Sequence, residues 1–160
     1  MNGELKGVGG WLAFFILVLA VISPVINSIL TYLALYSAEM AALAYTDFWP
    51  SIQLFEWSVV GLGALIGWFA AYRLYQVHNW LSVQIAIAAV WIIGLGLSVL
   101  EVFGVSYFTG LPADLLLSGA QPQDFIRPFI FGIVWTAYLL KSVRVANTYR
   151  GGEEQAEVFE

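Results

Sequence analysis

The sequence predicts an all-α protein, a four-helix transmembrane bundle with both termini on the cytoplasmic side. Three observations carry that reading. Apolar residues make up 61% of the 160-residue chain and charged residues 11%, with a mean hydropathy of +0.82. Ordinary globular domains run at about 45–50% apolar and about 25% charged, so lipid rather than water is the implied solvent. Next, four long apolar runs predict helices over about 11–35, 57–75, 81–103 and 125–147, each able to cross a hydrocarbon core of about 30 Å. Finally, when those helices alternate, Lys6, Arg73, Lys141, Arg144 and Arg150 share one side. The other side holds Arg127 with Glu39, Asp47, Glu56, Glu101, Asp114 and Asp124. The excess of bases places the first side in the cytoplasm.

The first run begins at Trp11 and is interrupted by Ser23-Pro24, Asn27-Ser28 and Thr31. It is too long for the apolar part of a signal peptide, about 7–15 residues, and ends without a small-residue cleavage pattern. An uncleaved first span is expected. Pro24 should free a backbone carbonyl one turn earlier, near Ala20, and kink the helix. No counterpart of Ser23-Pro24 is legible in the third run, so the paired broken helices of an inverted-repeat transporter are not expected. Asn27 is a candidate intramembrane clasp, an amide that seeks a partner on another helix.

In the second run, Gly63, Gly67 and Ala71 recur every fourth residue and form a candidate helix-packing face. Such a stripe allows close backbone approach, either to another helix of this chain or to a second copy. Gly94 and Gly96, with Ala86, Ala89 and Ser98, make the third run a plausible partner. Only Gln76-Val77-His78-Asn79-Trp80 joins the second and third runs, so they should be antiparallel neighbours. The longer connections, 36–56 and 104–125, are rich in interface-type aromatics and should lie on the outer side. Within the second of them, Pro112 and Asp114 predict a short interfacial helix over Pro112–Ser118. Residues 1–150 form one domain in this reading, and 151–160 an acidic, mobile cytoplasmic tail.

Chemistry-bearing residues are few. With no cysteine, disulfides, thiolate metal sites and cysteine nucleophiles are excluded. The single histidine, His78, cannot build a His-rich metal site or axial haem pair in one chain. It also falls across the membrane from Glu56 and Glu101. Gly7, Gly9 and Gly10 lack the strand and the Lys-Ser/Thr of a phosphate loop, and read as a flexible foot for the first helix. No catalytic residue, cofactor or metal site is expected. The net charge of -5 argues against nucleic acid.

The densest polar group is Glu56, Glu101, Asp124 and Arg127, a candidate outer cluster in which Arg127 should pair with Glu101 or Glu56. On the cytoplasmic side Trp11, Lys141 and Arg144 are candidate contacts for lipid headgroups or a partner.

Two stretches, Gly9-Gly10-Trp11-Leu12 and a final helix with Arg127-Pro128, Trp135, Tyr138, Ser142, Arg144, Val145 and Thr148, carry a resemblance. The chain resembles an uncharacterised family of small four-helix bacterial inner-membrane proteins, a domain of unknown function. The resemblance implies topology and a bacterial cytoplasmic membrane location, and no catalytic residues. It also puts the two stretches at one membrane face, where contact between them is expected. Two functional classes follow: a non-enzymatic accessory or scaffold protein that binds another membrane protein or itself, or a small transporter or lipid- or ligand-binding protein using the outer cluster. An enzyme is the least favoured class, because only carboxylates, hydroxyls and arginine are present to do chemistry.

Overall fold

The computed structural model describes residues 6–40, 46–119 and 122–150, the last stretch without side chains at 122–124. Six helices and no strand occur among the described residues. They are α1 (Trp11–Met40), α2 (Trp49–Gln76), α3 (Trp80–Thr109), α4 (Ala113–Gly119), α5 (Pro122–Lys141) and α6 (Val143–Tyr149). α1, α2 and α3 are each long and apolar enough to cross a membrane. α5 and α6 would make a fourth crossing only if counted together, and they meet at a 62° bend.

The helix boundaries follow local chemistry. Gly10 has φ 57°, a conformation suited to glycine, and α1 starts immediately after it. Pro50 lies in the first turn of α2, where its missing N–H costs nothing. Asn79 caps α3 by accepting the Ser82 backbone N–H at 3.0 Å, and Gly110 ends it in the left-handed region at φ 70°.

Several expected boundaries are corrected. α1 extends to Met40, α2 begins at Trp49 and α3 continues to Thr109, because a helix need not stop where its apolar run stops. The expected outer loops therefore shrink, and 41–45 lie outside the described residues, as does the tail 151–160. The short helix after Pro112 is present as Ala113–Gly119. The last helix is not continuous to 147. Ser142 turns extended (φ -73°, ψ 123°), and its hydroxyl accepts the Val145 N–H at 3.5 Å to start α6.

The middle of α1 is a π-helical segment, Val18–Ile22, directly before Ser23-Pro24. Pro24 cannot donate to the Ala20 carbonyl, and the Trp68 indole N–H of α2 donates to it instead at 2.7 Å. α3 also carries a π-helical segment, at Ile92–Gly96, without the Ser-Pro that follows the one in α1. Glycine is a poor helix former, and Gly94 lies where an added Cβ would come 3.1 Å from Pro128 of α5. Trp91 ties the same two helices by donating to Thr136 Oγ1 at 3.1 Å.

Both irregular segments flank the small-residue face of α2. A Cβ on Gly67 would come 2.7 Å from the Leu19 carbonyl oxygen of α1, and a Cβ on Gly63 would come 3.0 Å from Leu97 of α3. Gly63, Gly67 and Ala71 are buried by contacts within the chain.

The core is uneven along the bundle. One half holds the main apolar cluster, with Leu12, Phe15, Leu74, Val83, Leu139, Val145 and Tyr149. A second, smaller cluster of Leu35, Trp49 and Ile52 sits at the other end. The described terminal segments meet beside the main cluster. Gly7 N–H donates to Thr148 Oγ1 at 2.9 Å, and a side chain at Gly9 would collide with the Arg144 guanidinium. The stretches around Gly9 and Arg144 are therefore in contact, as expected. Tyr149 donates to the Leu74 carbonyl, and Arg150 stacks 3.8 Å from the Trp80 ring centre. Leu65 and Phe69, at 61% and 55% exposed, point outward with many other large apolar side chains, as lipid solvation would favour.

Gly67→Ala should lower thermal stability in detergent by about 1–3 kcal/mol through overpacking. Gly61→Ala, whose Cβ meets nothing within 4 Å, should leave the melting temperature unchanged or slightly raised. Trp68→Phe should cost about 1 kcal/mol through the lost carbonyl partner, read from the same melting curves.

Candidate functional site

Between the main core and the small end cluster lies a cavity of about 1170 Å³. Its back wall is α2 and α3, with Val59, Gly63, Val90 and Leu97. Its sides are α1 and α5, which contribute Ile26, Leu30, Pro128 and Phe131. α1 packs along α2, α2 along α3, and α3 along α5. Among the described residues no comparable packing joins α5 to α1, whose contact is the aromatic stacking of Phe15 on Trp135 in the main core. The cavity therefore occupies the open fourth seam of the bundle.

Polar side chains enter this otherwise apolar space from four helices. α1 supplies Ser23, Asn27 and Thr31, α2 supplies Glu56, α3 supplies Ser98, Glu101 and Thr109, and α5 supplies Arg127. The helix registers set five of them within about two turns of one another along the cavity. Trp68 opposite Ala20 and Gln53 opposite Glu39 fix α1 against α2. Gly63 opposite Leu97 and Gly104 opposite Phe55 fix α3 against α2. Continuing those registers, Asn27 falls level with Ser98, Thr31 falls level with Glu101 about one turn further on, and Glu56 lies within a turn beyond them. Glu56 itself is seven residues from the start of α2, or about 10 Å along its axis.

The chemistry of this belt is defined by what its members bind. Ser98 donates to the Gly94 carbonyl at 2.8 Å. Glu56 and Glu101 are half-buried and close enough for their charges to interact. Arg127 of α5 also lines the cavity. The expected ion pair from Arg127 to Glu56 or Glu101 does not occur among the described residues, although Arg127 is not without an interaction of its own. The reason is register. Pro128 lies against Gly94, which places Arg127 almost two turns from Glu101 along the antiparallel helices. Asp124 lies on α5, and its side chain falls outside the described residues.

Other candidate residues sit away from the cavity. Trp11 is 68% exposed and edge-on to Phe14 at 5.7 Å, and with Val134, Trp135 and Tyr138 it lines a groove of about 270 Å³. Lys141 is exposed at the end of α5. Arg144 differs from both, folded over the Gly9–Gly10 backbone. His78 is exposed in the short α2–α3 connection, its ring 5.7 Å from that of Tyr149. Among the described residues, no group of three or more His, Asp or Glu could hold a metal ion.

Three lining features escaped the sequence reading. Thr31 had a signal, its i,i+4 spacing from Asn27 on one helix face. Phe48 and Trp49 were visible only as interface aromatics, yet they line the far end of the cavity. Ser98 had been grouped with small packing residues and faces the belt instead.

Compared with known proteins, the chain matches the family described as a protein of unknown function (DUF2569) over residues 5–150. The chain belongs to that family. No curated protein and no solved structure matches it.

Cysteine-free sequence makes the cavity easy to probe. Cysteines at Asn27 and Glu101 should react with a small water-soluble methanethiosulfonate. A cysteine at Ala86, fully buried in the main core, should remain unmodified under the same exposure, as read by intact-mass spectrometry.

Proposed function

We propose that this member of a family of unknown function is a four-span membrane protein that binds an amphipathic ligand in the cavity between α1 and α5. The observation that carries the reading is the cavity itself, about 1170 Å³ with apolar walls and a small set of polar groups from facing helices. Ligand sites are typically apolar spaces of about 300–1000 Å³ with a few convergent polar groups. Protein interiors are otherwise close-packed, so a space of this size facing an acyl-chain solvent suits a lipid or a comparable small amphiphile. The binding role is argued in preference to the accessory or scaffold role because the small-residue face of α2 is already used within the chain.

In this reading α5 with α6 completes the fourth crossing, and the end carrying residues 6–10 and 143–150 faces the cytoplasm of a bacterial inner membrane. The charge distribution supports that orientation, with Lys6, Arg73, Lys141, Arg144 and Arg150 at one end of the bundle. The cavity then belongs to the outer half of the membrane.

Two measurements test the reading. Native mass spectrometry of the chain from lipid nanodiscs should find a retained lipid or small molecule, and Asn27→Leu with Thr31→Val should reduce its occupancy severalfold. A bare monomer that retains nothing overturns the binding role. Cysteines at Asp47 and Asn79 should label from opposite faces of right-side-out cells and inverted vesicles, with Asn79 reached from the cytoplasm. Labelling of both from one face overturns the topology.

A further inference from the structure

We infer that the cavity selects a cationic amphiphile, with its positive group held between Glu56 and Glu101. The inference rests on the binding role proposed above and adds the charge class of the ligand. Charge complementarity carries it. Among the described residues the charged groups lining the cavity are Glu56, Glu101 and Arg127, a formal excess of one negative charge with the arginine included. The two carboxylates lie on the back-wall helices α2 and α3, near one another. Among the described residues neither has a hydrogen-bond or ion-pair partner, whereas Arg127 is already engaged.

A carboxylate within a low-dielectric space is costly without a counter-charge. A ligand that brings a cation offsets that cost for both carboxylates at once, while an anionic ligand adds to it. The surroundings fit an ammonium-like or phosphonium-like group in other respects. Trp49 and Phe48 line the cavity at the end beyond Glu56, where an aromatic face can attract a cation. Asn27 and Thr31 provide neutral oxygens on the α1 side. Below the belt, Leu19, Ile93 and Leu97 form an apolar floor for the hydrocarbon part.

The geometry also sets how the ligand arrives. With no extensive packing between α1 and α5 among the described residues, an amphiphile dissolved in the bilayer reaches the carboxylates sideways. It need not pass through water.

A matched pair of ions of opposite charge tests the inference, tetraphenylphosphonium against tetraphenylborate, similar in size and shape. Binding to the full chain in phosphatidylcholine nanodiscs is measured by equilibrium dialysis against empty nanodiscs. Tetraphenylphosphonium should bind saturably at one site per chain, and tetraphenylborate should not compete. Glu56→Gln or Glu101→Gln should each weaken the cation about tenfold or more, with monodisperse elution and an unchanged melt showing that the variants fold. The wild-type preference between the two ions needs no variant, so a variant that fails to fold leaves that arm decisive. Equal or tighter binding of tetraphenylborate overturns the inference, as does cation binding insensitive to both substitutions. Failure of both ions while native mass spectrometry still finds a retained lipid overturns the charge selection and spares the cavity role. Failure of both ions with nothing retained overturns the two together.

Discussion

The carbonyl oxygen of Ala20 is the atom on which the arrangement depends. Within hydrocarbon every backbone polar group must find a partner inside the protein, and Pro24 removes the N–H that would have served this one. The Trp68 indole supplies the missing donor from α2. For it to do so, α2 must approach the π-helical turn of α1 closely, and Gly67 removes the side chain that would prevent this. One proline, one tryptophan and one glycine thus fix where α1 and α2 cross and in which register.

From that crossing the uneven core follows. On the side of residues 11–19 the helices are held close enough to build a continuous apolar cluster, in which Phe15 stacks on Trp135 at 4.4 Å. Beyond the irregular turn α1 stays with α2 but leaves α5, and the space between them is the cavity. The π-helical segment of α3 borders the same space through Ile93 and Gly94. Such segments recur at functional sites because they re-aim side chains that a regular helix would hide. Here they accompany a belt of Asn27, Thr31, Glu56, Ser98 and Glu101 gathered from three helices.

Much of this was legible in the sequence, and what was missed has physical causes. Apolar runs beyond about 20 residues identify helices because length and solvent leave few alternatives. Their ends are harder, since residues such as Glu39 and Trp49 leave the apolar run without leaving the helix. The break at Ser142 carries no proline or glycine, only a hydroxyl that can cap. The freed carbonyl of Ala20 could be read from Pro24, but its partner is nearly fifty residues away. The site was legible only as a set of separate polar residues. Asn27, Glu56, Glu101 and Arg127 each stand out against an apolar background, but which of them meet depends on helix register to within a turn. That register separates Arg127 from the two carboxylates it was expected to join.

The bond between Gly7 and Thr148 has a consequence for biosynthesis. A chain threaded into the bilayer as it is translated delivers its first helix long before residue 148 has been made. Leu12, Leu74 and Val83, all fully buried in the finished protein, must wait for the cover that Val145 and Tyr149 provide. The closure of this face therefore waits for α6, and a chain halted before it would present an unfinished surface to the quality-control machinery of the cell.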